Sequence, residues 1–299
     1  MFFLFIFIVI GLGVFFLIAD GLCTAAVKKA RKRLEAYKPK ELQLSSGTVT
    51  YVDRGKGDVI LSIHGICGGF DQGLDTAFHL TSNYRVIAPS RFGFAGSDLP
   101  ETPGVKEQAR VFAELLDKLD VDNVYILAAS TGSTVAIRFA LDYPDRVKGL
   151  IMYSPTAPSA DKPRHYAKYI GLPRFILSDY GMWLLSLFFK PLLSIERTAV
   201  YIMLPFSERR SGIINDAEVT NPDMARNYDE YPIEELRTPT LIFQARNDKL
   251  SKYKLIERSV RRFPDCKFVV FDKGGHMLSV CGEEIAKEET AFFNRFSEN

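Results

Sequence analysis

The strongest chemical signal in this polypeptide is a lone serine where an apolar, β-rich run gives way to a helix-period segment. The run is Val124-Tyr125-Ile126-Leu127-Ala128-Ala129-Ser130-Thr131-Gly132-Ser133-Thr134-Val135-Ala136. Small-Xaa-Ser-Xaa-Gly between a strand and a helix describes a tight turn with one hydroxyl at its apex. The two backbones approach closely there, so bulky neighbours are excluded and the serine is held in strain. The helix that follows offers unpaired N–H groups, which favour negative charge developing beside the hydroxyl. Ser130 is therefore a candidate nucleophile. The same residues also describe an ordinary serine N-cap, and Ala128 stands where glycine is usual in such turns.

The surrounding pattern supplies the elements such a turn needs. Strand-like runs at 59–63, 84–88, 124–128, 147–153, 239–245 and 267–271 alternate with helix-period segments near 104–119, 131–143, 251–262 and 283–296. Near-continuous apolar strands separated by helices predict an α/β fold with a mainly parallel central sheet and helices on both faces. Leu42–Leu44 and Thr48–Asp53, joined by Ser45-Ser46-Gly47, predict an opening antiparallel hairpin.

Two further motifs stand in order before the serine turn. After the run Val59–Ile63 comes His64-Gly65-Ile66-Cys67-Gly68-Gly69, and after Tyr84–Pro89 comes Ser90-Arg91-Phe92-Gly93-Phe94-Ala95-Gly96-Ser97-Asp98. With these three motifs the chain resembles the α/β-hydrolase family over about residues 41–299. The resemblance implies a hydrolase core at 41–155 and 236–299 and a helical cap at 156–235, where the βα rhythm breaks. It implies no cofactor and no metal. It also implies an oxyanion hole made by the backbone N–H groups of Thr131 and Ile66.

A serine hydroxyl is a poor nucleophile until a base accepts its proton, and histidine is poised for that near neutral pH. There are four histidines. His64 lies in the oxyanion-type turn and is expected to support it; His79 falls near a helix, and His165 in a polar stretch entering the insertion. His276, in Asp272-Lys273-Gly274-Gly275-His276, follows the last strand, where the family places its base. The family's acid follows the penultimate strand, and Asp248 occupies that position. Some relatives place the acid one strand earlier, but that strand here ends in Ser154-Pro155-Thr156 without a carboxylate. The chain order Ser130, Asp248, His276 is the one expected for this fold class.

The resemblance thus implies a serine hydrolase that forms an acyl-enzyme, with a carboxylic ester as the expected substrate. A serine at the turn argues against dehalogenase or epoxide hydrolase chemistry, for which relatives use aspartate. Carbon–carbon bond hydrolysis, perhydrolase chemistry and a catalytically silent binding protein stay open as alternatives. The insertion is rich in apolar residues, including Met182-Trp183-Leu184-Leu185-Ser186-Leu187-Phe188-Phe189, which suits a small-molecule ester with an apolar acyl chain and offers a stretch able to dip into lipid.

Residues 1–19 contain no charge and are mostly Phe, Leu, Ile and Val, about the length a spanning helix needs. We expect a transmembrane anchor over 1–22, then a basic linker over 23–40 containing Lys28, Lys29, Arg31, Lys32 and Arg33. The positive-inside rule puts that flank and the catalytic domain on the cytoplasmic side; a cleaved signal peptide with secretion is the alternative. A net charge of +2 offers no footprint for nucleic acid. Four scattered cysteines, at 23, 67, 266 and 281, form neither metal-ligand spacing nor a disulfide framework.

Overall fold

The computed structural model describes residues 2–156, 158–193 and 195–296. Its centre is an eight-stranded sheet in the order β1-β2-β4-β3-β5-β6-β7-β8. The strands are β1 (Lys40–Leu44), β2 (Gly47–Arg54), β3 (Val59–Ile63), β4 (Arg85–Pro89), β5 (Val124–Ala129), β6 (Val147–Tyr153), β7 (Thr240–Ala245) and β8 (Cys266–Phe271). The hairpin β1–β2 and the pair β2–β4 are antiparallel; β4, β3, β5, β6, β7 and β8 run parallel. The α/β class and each predicted strand are therefore present, because strands buried on both faces announce themselves as continuous apolar runs.

Helices cover both faces. One face carries α3 (Val105–Lys118), α4 (Gly132–Asp142) and α10 (Tyr253–Ser259), whose apolar sides join Val111, Leu115, Val135, Ile137 and Ile256 into one core. The other face carries α2 (Phe70–Ala77) and α11 (Gly282–Asn294), through Leu74, Ile285 and Phe292. After β3 the chain steps to β4 on one side, then returns to place β5 on the other. Crossovers therefore diverge between β3 and β5, and the crevice at their carboxyl ends is where a parallel sheet places its ligand.

The insertion between β6 and β7 is built from short helices: α5 (Asp179–Leu185), α6 (Phe189–Leu193), α7 (Val200–Met203), α8 (Arg210–Asn215) and α9 (Asn221–Arg226), with a π-helical turn at Asp216–Thr220.

The first helix corrects one expectation. Residues 23–36 of the expected 23–40 linker are helical: α1 runs unbroken from Phe2 to Ala36. Beyond Ile18 one side of it is buried at Ala19, Cys23, Ala26, Ala30 and Leu34, at helical spacing. Ala19 to Ala30 join a cluster with Leu177, Met182, Trp183, Val200 and Phe206 of the insertion. Strong helix formers (Ala, Lys, Arg, Leu) carry the helix through the basic run. The basic side chains are partly committed too, since Arg31 pairs with Glu208 and Arg33 with buried Asp71. Asp71 also receives both terminal nitrogens of fully buried Arg209, so one carboxylate ties α1, α2 and the insertion together. Almost every apolar side chain from Phe2 to Ile18 is exposed, and α1 is long and apolar enough to cross a membrane.

Candidate active site

β5 ends at Ala129 and α4 begins at Gly132, so Ser130 and Thr131 alone make the turn. Ser130 is left-handed, with φ of 48°, a costly conformation for a side chain with a Cβ. Four hydrogen bonds to its backbone hold it there, one of them from the Ser133 hydroxyl to its carbonyl at 2.7 Å. Its N–H donates to the Tyr153 carbonyl at 2.9 Å, and its carbonyl accepts from Ser133 N–H at 3.0 Å and Thr156 N–H at 3.2 Å. Gly132 is required by contact: a Cβ there would lie 2.6 Å from the His64 carbonyl oxygen and 2.7 Å from that of Ile63.

Asp248 and His276 come to this turn from the ends of two other strands. The hydroxyl of Ser130 lies 3.0 Å from His276 Nε2, and His276 Nδ1 lies 2.9 Å from Asp248 Oδ2. Asp248 Oδ1 accepts from the N–H groups of Leu250 (2.8 Å) and Ser251 (3.0 Å), and Gln244 Nε2 donates to Oδ2 at 3.2 Å. Burial disfavours the charged carboxylate, but the hydrogen bond and charge of His276, with the two backbone donors, outweigh it. The Asp248 carboxyl is thereby held below its usual range. An ionised acceptor at Nδ1 selects the tautomer whose Nε2 lone pair faces the serine O–H. The loop carrying His276 is fixed by Gly275 N–H donating to Asn247 Oδ1 at 2.9 Å.

Thr131 caps the start of α4, and Ile66 sits in the turn between β3 and α2. Among the described residues, neither backbone N–H donates to another protein group. The turn is pressed against the serine: a Cβ on Gly65 would lie 3.2 Å from that of Ser130. Fully buried His64 braces it, with Nδ1 donating to the Gly65 carbonyl at 2.7 Å and Nε2 accepting from Arg91 N–H at 2.9 Å. Burial, then the charge of Arg91, keeps His64 neutral far below its ordinary pKa, so it is a structural imidazole. Gln72 Oε1 accepts from Gly65 N–H at 2.8 Å.

The remaining histidines lie elsewhere. His79, in a 3-10 turn after α2, contacts fully buried Glu289 at 2.6 Å, and Glu289 also accepts from the Tyr153 hydroxyl. His165 is exposed in an irregular part of the insertion.

The sequence reading left out the side chains that join the insertion to the site. Arg91 donates through Nε to the His64 carbonyl and through Nη2 to that of Gly65, both at 3.1 Å. The same guanidinium grips Asp216 of the π-helical turn in a bidentate pair at 2.5 and 2.6 Å, the side chains 3% and 0% exposed. Thr131 Oγ1 donates to Asn221 Oδ1 at 2.9 Å. Arg91 was visible as the basic residue of its loop motif, whereas Asp216 and Asn221 carry no local signature.

Comparison with known proteins agrees with this architecture. A haloalkane dehalogenase 2 of Mycobacterium bovis is 30% identical over 122 residues, 40% of this chain and 43% of that protein. An uncharacterized hydrolase of Bacillus subtilis is 30% identical over 113 residues, 38% of this chain and 40% of that protein. The match thus spans about two-fifths of the length of each curated relative. Among solved structures, a membrane phospholipase A superposes with a TM-score of 0.69 at 18% identity, over 99% of this chain and 98% of that one. The family profile described as alpha/beta hydrolase fold matches residues 58–281, from the start of β3 to the loop beyond His276. That stretch is well over half of the chain and holds the serine turn between diverging parallel crossovers, and the protein belongs to the alpha/beta hydrolase fold family.

Proposed function

We propose that this protein is a membrane-anchored serine hydrolase that cleaves carboxylic esters with an apolar acyl group. The observation that carries the reading is the unbroken hydrogen-bond chain from the Ser130 hydroxyl through His276 to Asp248. In the proposed mechanism, Ser130 Oγ attacks the acyl carbon as its proton passes to His276 Nε2, and Asp248 stabilises the imidazolium. The N–H groups of Thr131 and Ile66 receive the oxyanion, each worth about 3–4 kcal/mol of transition-state stabilisation. His276 then protonates the leaving alcohol, and water, activated by the same imidazole, releases the acid from Ser130. The dehalogenase relative does not extend its reaction to this chain on this reading, because the residue at the turn is serine and not a carboxylate.

The membrane part of the reading is supported by α1, by its flanking Lys28, Lys29, Arg31, Lys32 and Arg33, and by the likeness to a membrane phospholipase A that extends over this helix. The positive flank favours a cytoplasmic catalytic domain. The apolar cap cluster favours an acyl chain over a sugar or a charged peptide. Fluorophosphonate labelling of the native protein and of Ser130→Ala, paired with hydrolysis of p-nitrophenyl esters from acetate to palmitate, tests the proposal. Labelling and hydrolysis should both vanish in the variant, and labelling that persists there would remove Ser130 from the reaction.

A further inference from the structure

Building on the reading of α1 as a membrane anchor, we propose that the cap segment Leu187–Leu193 seats in the leaflet beside that helix. The site would then draw its ester from the membrane and not from solution. Helix α1 is continuous, and about 20 residues rising 1.5 Å each cross a hydrocarbon layer of about 30 Å. The polar boundary therefore falls near Asp20, the first charged residue of the helix. Ala19 and Cys23, at that depth, are buried in the cluster shared with the cap. Whatever covers them lies at the level of the headgroups.

The covering element follows from the contacts further along α1. Helix α7 lies at the Arg33 level, where the Ile202 carbonyl accepts from Arg33 Nη2 at 3.1 Å. Helix α5 starts between the Arg31 and Cys23 levels: Asp179 accepts from Phe206 N–H at 2.6 Å and Ser207 N–H at 3.2 Å, next to the Arg31–Glu208 pair, and its charge acts on Cys23. Of the cap helices, α5 and α7 pack most extensively on α1. The cover over Cys23 and Ala19 thus falls to α5 and the 3-10 turn Ser186–Phe188 after it.

The chain leaving that turn has the chemistry of an interfacial segment. Leu187, Phe188 and Leu192 are 44%, 55% and 59% exposed, and the only charge in the segment is Lys190, which pairs with Glu196 at 2.9 Å. Exposed Lys28, Lys29 and Lys32 follow on α1 about 12–18 Å beyond Asp20 and add a longer-range attraction to anionic lipid. The segment also reaches the site, since the Pro191 carbonyl accepts from Lys249 Nζ at 3.1 Å, beside Asp248. One stretch of cap thus connects the leaflet to the rim of the Ser130–His276–Asp248 cluster. The fitting substrate is an amphiphilic ester whose acyl chain lies in the bilayer.

The test uses the full chain in phosphatidylcholine–phosphatidylglycerol vesicles. An environment-sensitive fluorophore on Leu187→Cys should be quenched by brominated acyl chains. The triple variant L187S/F188S/L192S should cleave p-nitrophenyl butyrate in detergent at the native rate, yet lose roughly tenfold on a long-chain phospholipid ester presented in vesicles. A label unquenched in protein that resists alkaline carbonate extraction overturns the proposal. So does equal cleavage of the vesicle ester by native and triple variant, or a label signal that disappears on dilution, which marks a second copy of the chain as the occupant. Extraction of the protein by carbonate defeats the anchor reading and the proposal with it. Ester cleavage surviving in Ser130→Ala defeats only the serine mechanism.

Discussion

Asp216→Ala is the perturbation most sensitive to how the insertion and the Gly65–Ile66 turn are joined. Asp216 holds Arg91 by two charge-assisted hydrogen bonds, with both side chains out of water. Removing the carboxylate leaves a guanidinium buried without its counter-charge, which costs about 3–5 kcal/mol. Arg91 keeps its bonds to the His64 and Gly65 carbonyls, so the lower end of that range is expected. For a domain of this size, about 3 kcal/mol lowers the thermal midpoint by about 6–12 °C. Well below the new midpoint, ester hydrolysis should still fall about tenfold in kcat with little change in KM. The Gly65–Ile66 turn would have lost its anchorage, and only part of the 10²–10³-fold value of an oxyanion donor is at stake. Thermal unfolding in detergent micelles and initial rates on a soluble ester measure the two effects. The double variant Arg91→Met/Asp216→Leu separates them: it should regain stability, because no charge remains buried, yet stay slow, because methionine cannot hold the two carbonyls. A native midpoint together with a native rate in Asp216→Ala would refute the reasoning.

Three further substitutions probe other links. Asp248→Asn should reduce kcat by about 10⁴-fold on soluble esters while the protein stays folded, since the amide no longer selects the productive tautomer of His276. Gly132→Ala should lose about 1–3 kcal/mol of stability and most activity, because its Cβ meets two backbone carbonyl oxygens that cannot move aside, and a soluble variant with native rate would contradict the contact. The hydrogen bond that His79 donates to Glu289, against the opposing effect of burial, raises the His79 pKa above its ordinary value. The stability this contributes is present in full below about pH 6.5 and is lost as pH rises through the elevated folded pKa. His79→Gln should therefore lower the thermal midpoint at pH 6 and converge with the native protein by pH 9, and a pH-independent gap would argue against the pairing.

Much of the architecture was legible because its signals are local. Apolar strands with no polar face, the glycine-containing loops Gly65–Gly69 and Gly93–Gly96 and small residues around Ser130 each report a steric requirement satisfied within a few neighbours. The order of the motifs along the chain placed Ser130, Asp248 and His276 at strand ends, and a parallel sheet sets those ends side by side. The meeting itself is tertiary: Ser130 and His276 are 146 residues apart, and only the strand order β5-β6-β7-β8 with its loops sets their 3.0 Å contact.

Polar partners chosen by packing left no trace in periodicity. Asp216 reads in sequence as one more acidic residue of a helical stretch, yet it neutralises Arg91 across 125 residues because both are enclosed where water cannot serve. The basic run after residue 22 looked like a linker because its charges dominate its composition. The buried stripe of Cys23, Ala26, Ala30 and Leu34 is small and weakly hydrophobic up to Ala30, so its face is defined only by the elements that cover it. Chain order and element type thus followed from the amino acids alone, through sterics and hydrophobic period. Which charges are paired, and which helix face is covered, was decided by the assembled fold, because burial is what makes a charge need its partner.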